Sequence, residues 1–132
     1  MPGFKNHLES TINGIYSFYN DKSFKRKESF IKTAEELGNT FYEVNYIYSS
    51  RWVASKFNAV NRIRANYRSL VHNMQSIAED NSYNTEISAK ASGFRNTLLH
   101  PRFFVMLLFT LDVLQLVQKT SLQCQETSGS VI

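Results

Sequence analysis

Apolar residues recur at spacings of three and four along most of this 132-residue chain, which is the period of one helix face. The pattern predicts a first helix from about Lys5 to Asn20 and a second from Phe24 to Leu37. Ser23 is the expected N-cap of the second helix, and Gly38-Asn39 is a typical C-terminal signal. The positions predicted to face inward are Leu8, Ile12, Ile15 or Tyr16, Tyr19, Phe30, Ile31, Ala34 and Leu37.

The middle of the chain changes its period before it returns to a helical one. Residues 41–48 are rich in aromatic and β-branched side chains, which predicts a short extended segment, the only strand candidate in the sequence. Ser49 or Ser50 then caps a third helix that runs to about Glu79. Its inward stripe is predicted to be Val53, Phe57, Val60, Ile63, Tyr67, Leu70, Val71, Met74 and Ile77.

Two further helices are predicted in the last third of the chain. Thr85 is the expected cap of a fourth helix that ends near Leu99, and Pro101 begins a fifth that ends near Leu122. The first half of the fifth helix is apolar all round, so other elements should cover it on every side. The prediction is therefore a mainly α fold: one domain over residues 1–122, with about five helices and one short extended segment, and a flexible tail over residues 123–132.

Composition and hydropathy favour a folded intracellular protein. With 42% hydrophobic and 14% aromatic residues, the chain can form a core. Cys124 is the only cysteine and no secretory leader follows Met1, which indicates a reducing compartment. The apolar run from Phe103 to Val117 is shorter than a bilayer requires and contains Asp112, so it predicts a buried helix and no membrane partner.

Residues with catalytic or metal-binding chemistry are sparse. His7, His72 and His100 lie on three separate segments, and no cysteine or carboxylate accompanies them at metal-ligand spacing. The sequence contains no glycine-rich phosphate loop, no GxSxG elbow and no Cys/His dyad. We therefore predict a protein that is not an enzyme and takes no metal or cofactor.

Basic residues are clustered more than the net charge of +4 suggests. The stretch from Arg51 to His72 contains no acidic residue, and its basic residues are Arg51, Lys56, Arg62, Arg64 and Arg68. One face of the third helix is predicted to be positive, since helical geometry sets four residues opposite the apolar stripe: Arg51, Asn58, Arg62 and Ser69. A second basic cluster lies at the turn between the first two helices and contains Lys22, Lys25, Arg26 and Lys27.

Arg51 and Trp52 place a guanidinium beside the only indole of the chain. This pair suits a phosphate and a stacked base, although Trp52 by itself would fit a hydrophobic core equally well. The predicted nucleic-acid-binding residues are Arg51, Trp52, Arg62, Arg64 and Arg68.

The order of several short motifs resembles the middle of hAT-superfamily transposase-like proteins. The motifs are Ile15-Tyr16-Ser17-Phe18-Tyr19, Ser23 with Lys25-Arg26, Ala34-Glu35-Glu36-Leu37-Gly38 and Ser50-Arg51-Trp52-Val53-Ala54-Ser55. The downstream elements Asn66-Tyr67, Ile77-Ala78-Glu79-Asp80, Ala91-Ser92-Gly93-Phe94 and Asp112-Val113-Leu114 continue the similarity. Domesticated relatives, such as zinc finger MYM-type-like and SUMO ligase-like proteins, have a similar order.

The resemblance implies a fragment of the helical insertion region of an RNase H-like transposase, without the catalytic core. No residue here matches the catalytic acids of that family. Arg51 and Trp52 match its Arg-Trp motif, which implies base stacking, weak DNA binding and a nuclear location. Two alternatives stay open. The chain could be a dimerisation or protein-interaction module that uses the Phe103 to Val117 helix, or a remnant of a transposable element without a function.

Overall fold

A computed structural model of the chain describes residues 2–21, 24–48 and 52–131, with the side chains of residues 2–6, 52, 121–122 and 125–131 outside the description. This part of the chain contains six helices and no strand, which confirms the mainly α prediction. The helices are α1 (Pro2–Asn20), α2 (Phe24–Glu36), α3 (Trp52–Ala65), α4 (Tyr67–Glu79), α5 (Thr85–Leu99) and α6 (Pro101–Val131).

The hydrophobic core lies along α1 and α4. Helix α1 contacts α2, α3 and α6, while α4 packs mainly against α5 and α2, and α6 packs on α3. The core positions predicted for α1, namely Leu8, Ile12, Ile15 and Tyr19, are all buried. Phe30 and Ala34 of α2 are buried as well, whereas Ile31 and Leu37 are half-buried. The spacing of apolar residues therefore identified the inner faces of the first two helices.

The third predicted helix is two helices, separated at Asn66. Asn66 is buried, and its side chain turns away from the helix to residue Tyr42. Its Nδ2 donates to the Tyr42 carbonyl oxygen at 2.7 Å, and its Oδ1 accepts from the Tyr42 N–H at 3.1 Å. The backbone bonds of Asn66 are retained, from its N–H to Arg62 O and from the Leu70 N–H to its own O, and the break is a local change of backbone angles to φ −90° and ψ 2°. The apolar stripe continues across it, since Ile63 and Leu70 are both buried.

Residues 39–48, the tethered segment, contain the strand candidate, but they pair with no strand in the described part of the chain. Side chains take the place of a neighbouring strand. Asn66 bonds to the backbone of Tyr42, as described above. In the same way, Asn13 Oδ1 accepts from the Ile47 N–H at 2.7 Å, and Asn13 Nδ2 lies 3.5 Å from the Ile47 carbonyl oxygen. Val44 and Ile47 are buried beneath the segment. The tethered segment is therefore fixed to α1 and to the α3–α4 junction.

A buried polar network joins α1, α2 and α4. The Tyr19 hydroxyl donates to Asn73 Oδ1 at 2.6 Å, and Asn73 Nδ2 donates to Ser29 Oγ at 2.9 Å and Thr33 Oγ1 at 3.1 Å. Burial raises the pKa of the Tyr19 phenol well above its usual value, so the hydroxyl stays protonated and can donate. Since every polar atom of Asn73 has a partner, the network positions three helices without an unsatisfied group.

Among the described residues, the helix caps agree with the predictions in one place and differ in one. Gly38 has a φ of 70°, and the bonds from Gly38 N to Glu35 O and from Asn39 N to Ala34 O form the expected C-cap of α2. The cap of α5 is Asn84, whose Oδ1 accepts from the Ile87 N–H, so the assignment to Thr85 is wrong. Ser23, Ser49 and Ser50, the other predicted caps, lie outside the described residues.

Helix α6 differs most from its prediction. It continues past Leu122 to Val131, and only one side of it packs on the bundle, through Phe103, Leu107 and Leu114. The expectation that other elements cover it on every side is wrong, because an all-apolar surface does not indicate which side packs. By length and composition its Pro101–Thr120 stretch could cross a membrane, and 17% of that stretch is buried inside the protein. It is the one helix in the described part of the chain that is long and apolar enough to cross a membrane.

Replacing Asn66 by alanine should lower the free energy of unfolding by about 1 to 3 kcal/mol, because the Tyr42 amide and carbonyl both lose their partner. Asn61→Ala is the matched control, since Asn61 is exposed on α3; it should stay within about 0.5 kcal/mol of the parent chain. Urea unfolding measures both changes. Equal effects of the two substitutions would contradict the role of Asn66.

Two glycine-to-alanine substitutions should have opposite effects. Gly38→Ala should destabilise the protein by about 1 kcal/mol, because φ is positive there. Gly93 lies inside α5, and a Cβ added to it meets nothing within 4 Å. Gly93→Ala should therefore stabilise the protein by about 0.5 to 1 kcal/mol. Thermal unfolding of both variants tests the pair, and a loss of stability in Gly93→Ala would show that α5 is not a regular helix there.

Candidate nucleic-acid interface

The tethered segment runs antiparallel to α3. At one end Ser55 Oγ donates to the Tyr46 carbonyl at 3.2 Å and accepts from the Tyr48 N–H at 2.7 Å. At the other end Asn66 holds Tyr42. Ser55 and Asn66 are about 16 Å apart along a helix, and five residues span about that distance only when their backbone is largely extended. The extended conformation expected for this segment follows from these two attachments.

Three tyrosines of the tethered segment, Tyr42, Tyr46 and Tyr48, are exposed, and we call them the tyrosine row. The Tyr46 and Tyr48 rings lie 5.0 Å apart between centroids with an interplanar angle of 57°, and Tyr16 of α1 contacts Tyr46 edge-on at 5.6 Å. Because both ends of the segment are fixed, these rings are held in place with their outer surfaces open to solvent. Exposed aromatic rings in a row offer stacking surfaces for bases.

Arg62 lies at the end of the tyrosine row. Its guanidinium carbon is 5.1 Å from the centroid of the Tyr42 ring, the geometry of a cation–π contact. Arg64 and Arg68 are exposed but lie elsewhere on the helix surface. Residues two apart in a helix are about 200° apart around its axis, so Arg64 lies on the flank opposite Arg62. The structure therefore does not bring the three predicted arginines into one patch.

One basic residue of the predicted stretch and one residue of its predicted positive face are buried. Lys56 is 3% exposed and forms an ion pair with Glu9 Oε1 of α1 at 2.9 Å. Ser69, which was predicted for the positive face, is also buried, and its Oγ accepts from Asn39 Nδ2 at 3.3 Å. Both side chains contact residues that are distant in the sequence, 47 positions away for Lys56 and 30 for Ser69, so local spacing does not predict their burial.

The second basic cluster joins the start of α2 to α1, to the α4–α5 turn and to the tethered segment. Lys25 donates to Ser82 Oγ at 2.7 Å and lies over the Tyr83 ring. Arg26 donates through Nε to the Phe18 carbonyl at 2.6 Å, and Lys27 forms an ion pair with Glu43 at 2.8 Å. These three cations already have internal partners. Lys22, the fourth member, lies outside the described residues.

The Arg-Trp motif is only partly within the description. Arg51 and the side chain of Trp52 lie outside it, and Trp52 is the first residue of α3. Only three residues separate Tyr48 from Trp52, so the motif connects the tyrosine row to the helix. The tyrosine row was not identified from the sequence. The spacing of the tyrosines within residues 41–48 is the signal for it, and by itself this spacing predicts only a strand.

Comparison of the chain with protein-family models, curated proteins and solved structures found no match. The resemblance to hAT-superfamily transposases therefore remains a prediction from the motifs. Among the described residues, no group of three His, Cys, Asp or Glu side chains could hold a metal ion. The candidate interface consists of the tyrosine row and Arg62, with Arg64 on the opposite flank of α3 and Arg68 on α4.

Lys56→Ala should lower the free energy of unfolding by about 2 kcal/mol or more, because it leaves Glu9 without its partner in a mostly buried position. Arg64→Ala removes the same charge from an exposed position of the same helix and should change stability by less than about 0.5 kcal/mol. Chemical denaturation distinguishes the two. Similarly small effects of the two substitutions would show that Lys56 behaves as a surface cation and would contradict its role in the ion pair.

Proposed function

We propose that this chain binds single-stranded DNA along the tyrosine row. The observation that carries the proposal is the Arg62 guanidinium on the Tyr42 ring, in the same extended segment as the exposed Tyr46 and Tyr48 rings. Bases stack on the tyrosines and Arg62 contacts the phosphate backbone. Such a surface tolerates many sequences, because every base has an aromatic face.

The distribution of charge makes this binding weak and sensitive to salt. One arginine lies at the row itself, and the net charge of the chain is +4. Arg64 contributes by long-range attraction, since it lies on the flank of α3 opposite Arg62, and Arg68 is an exposed cation of α4. The affinity depends on displaced counterions, so it falls as the salt concentration rises.

The motifs of the sequence support DNA as the nucleic acid. Arg51 and Trp52 follow directly after the tyrosine row and match the Arg-Trp motif of hAT-superfamily transposase-like proteins. In this proposal Trp52 adds a further stacking surface. The chain is then a transposase-derived nuclear protein that keeps a DNA contact without the cleavage residues.

Fluorescence anisotropy with a labelled single-stranded oligonucleotide tests the proposal. Tyr46→Ala and Tyr48→Ala should each weaken binding by about 1 to 3 kcal/mol, and Trp52→Ala should do the same. Arg62→Ala should weaken binding to all sequences alike and reduce the slope of log K against log salt by about one.

Lys32→Ala is the matched control for charge, because Lys32 is exposed on α2 away from the row. It should leave the affinity nearly unchanged. Three results would contradict the proposal: binding that salt does not weaken, tyrosine substitutions without effect, or a duplex of the same sequence bound more tightly than the single strand.

A further inference from the structure

Helix α6 has two apolar sides, and the bundle covers only one of them. The inner side contains the buried Phe103, Leu107 and Leu114. On the opposite side Val105, Phe109 and Leu116 are 64%, 64% and 66% exposed. The outer residues follow one another at spacings of three and four, as in a helix that packs against another helix. This outer face consists of Arg102, Val105, Phe109, Asp112, Leu116 and Lys119.

The charges on the outer face are arranged in a specific order. Asp112 is the only charged residue between Arg102 and Lys119. Within the described part of the chain, neither Arg102 nor Asp112 has an ion-pair partner. Two apolar residues, Val105 and Phe109, lie between them on the same face. Between Arg102 and Asp112, the outer face therefore has a positive end, an apolar middle and a negative end within three helical turns.

We propose that the outer face of α6 binds a second copy of the chain in an antiparallel arrangement. With the two helices crossing at the level of Leu107, Val105 lies opposite the partner's Phe109, and Arg102 lies opposite the partner's Asp112. Twofold symmetry repeats both contacts, so one register pairs four charges and four apolar side chains. This complementarity identifies a second copy as the occupant.

Other arrangements of two copies are less favourable. A parallel pair sets Asp112 against the partner's Asp112 and Arg102 against the partner's Arg102, and like charges repel. An antiparallel pair shifted to cover Leu116 sets Arg102 against the partner's Lys119 and Phe109 against the partner's Asp112. Charges at a helix interface select its orientation and register in this way.

A lipid bilayer is a poorer occupant of the same face. It would have to accept the Asp112 carboxylate in the middle of the apolar stretch, and a charged group there is strongly disfavoured. The inner side of α6 also packs on α3, α5 and α1, which keeps the helix within the bundle. Membrane binding is therefore the competing outcome of the test.

Sedimentation velocity of the full chain at several concentrations tests the proposal. The parent chain should form a dimer. Asp112→Arg and Arg102→Asp should each raise the dissociation constant about tenfold, because each creates two like-charge pairs. The chain with both substitutions should recover the parent value, since reversal of both charges restores the pairs. Phe109→Ser should give a monomer.

Lys32→Glu is the control, because it changes a charge on α2 and should leave the dimer unchanged. A monomer at every concentration would overturn the proposal. A dimer that neither single charge reversal weakens, or that the double reversal does not restore, would overturn the antiparallel register. Co-sedimentation with phosphatidylcholine vesicles, lost in Phe109→Ser, would assign the face to a membrane.

Discussion

Asn13 and Asn66 each bind one residue of the tethered segment with both ends of a side-chain amide. An extended backbone without a neighbouring strand leaves its N–H and C=O groups to water or to side chains. Here two side chains provide partners at Tyr42 and Ile47, about 16 Å apart in an extended chain. The bonds from Asn66 also fix the segment at the α3–α4 junction. The exposed tyrosines depend on this attachment for their fixed positions.

The basic residues have different roles although they look alike in the sequence. Lys56 neutralises Glu9 at the α1–α3 contact, while Lys25, Arg26 and Lys27 join α2 to the α4–α5 turn, to α1 and to the tethered segment. Lys56 and Lys27 are each paired with a carboxylate, which weakens their attraction for an external anion. Arg62 is distinguished from Arg64 and Arg68 by its contact with an aromatic ring. The proposed DNA contact therefore depends more on the tyrosine row than on the number of positive charges.

The sequence predicted the elements better than it predicted their surfaces. The inner residues of α1 and the C-cap of α2 were predicted correctly, because local spacing and a glycine determine them. The break at Asn66 was not predictable, since the apolar stripe continues across it, and the partner of the Asn66 side chain lies 24 positions away. Burial of Lys56 likewise depends on a distant partner. Which side of α6 is covered follows from packing alone. The tyrosine row could be identified only once the path of the tethered segment was known.

Amide hydrogen exchange measured by NMR tests most directly whether asparagine side chains hold the tethered segment. The N–H groups of Tyr42 and Ile47 should exchange slowly, because each is bonded to an asparagine oxygen. In Asn66→Ala the Tyr42 amide should lose most of its protection while Ile47 keeps its own, and Asn13→Ala should have the reverse effect. Fast exchange at both amides in the parent chain, or protection that neither substitution changes, would contradict the account.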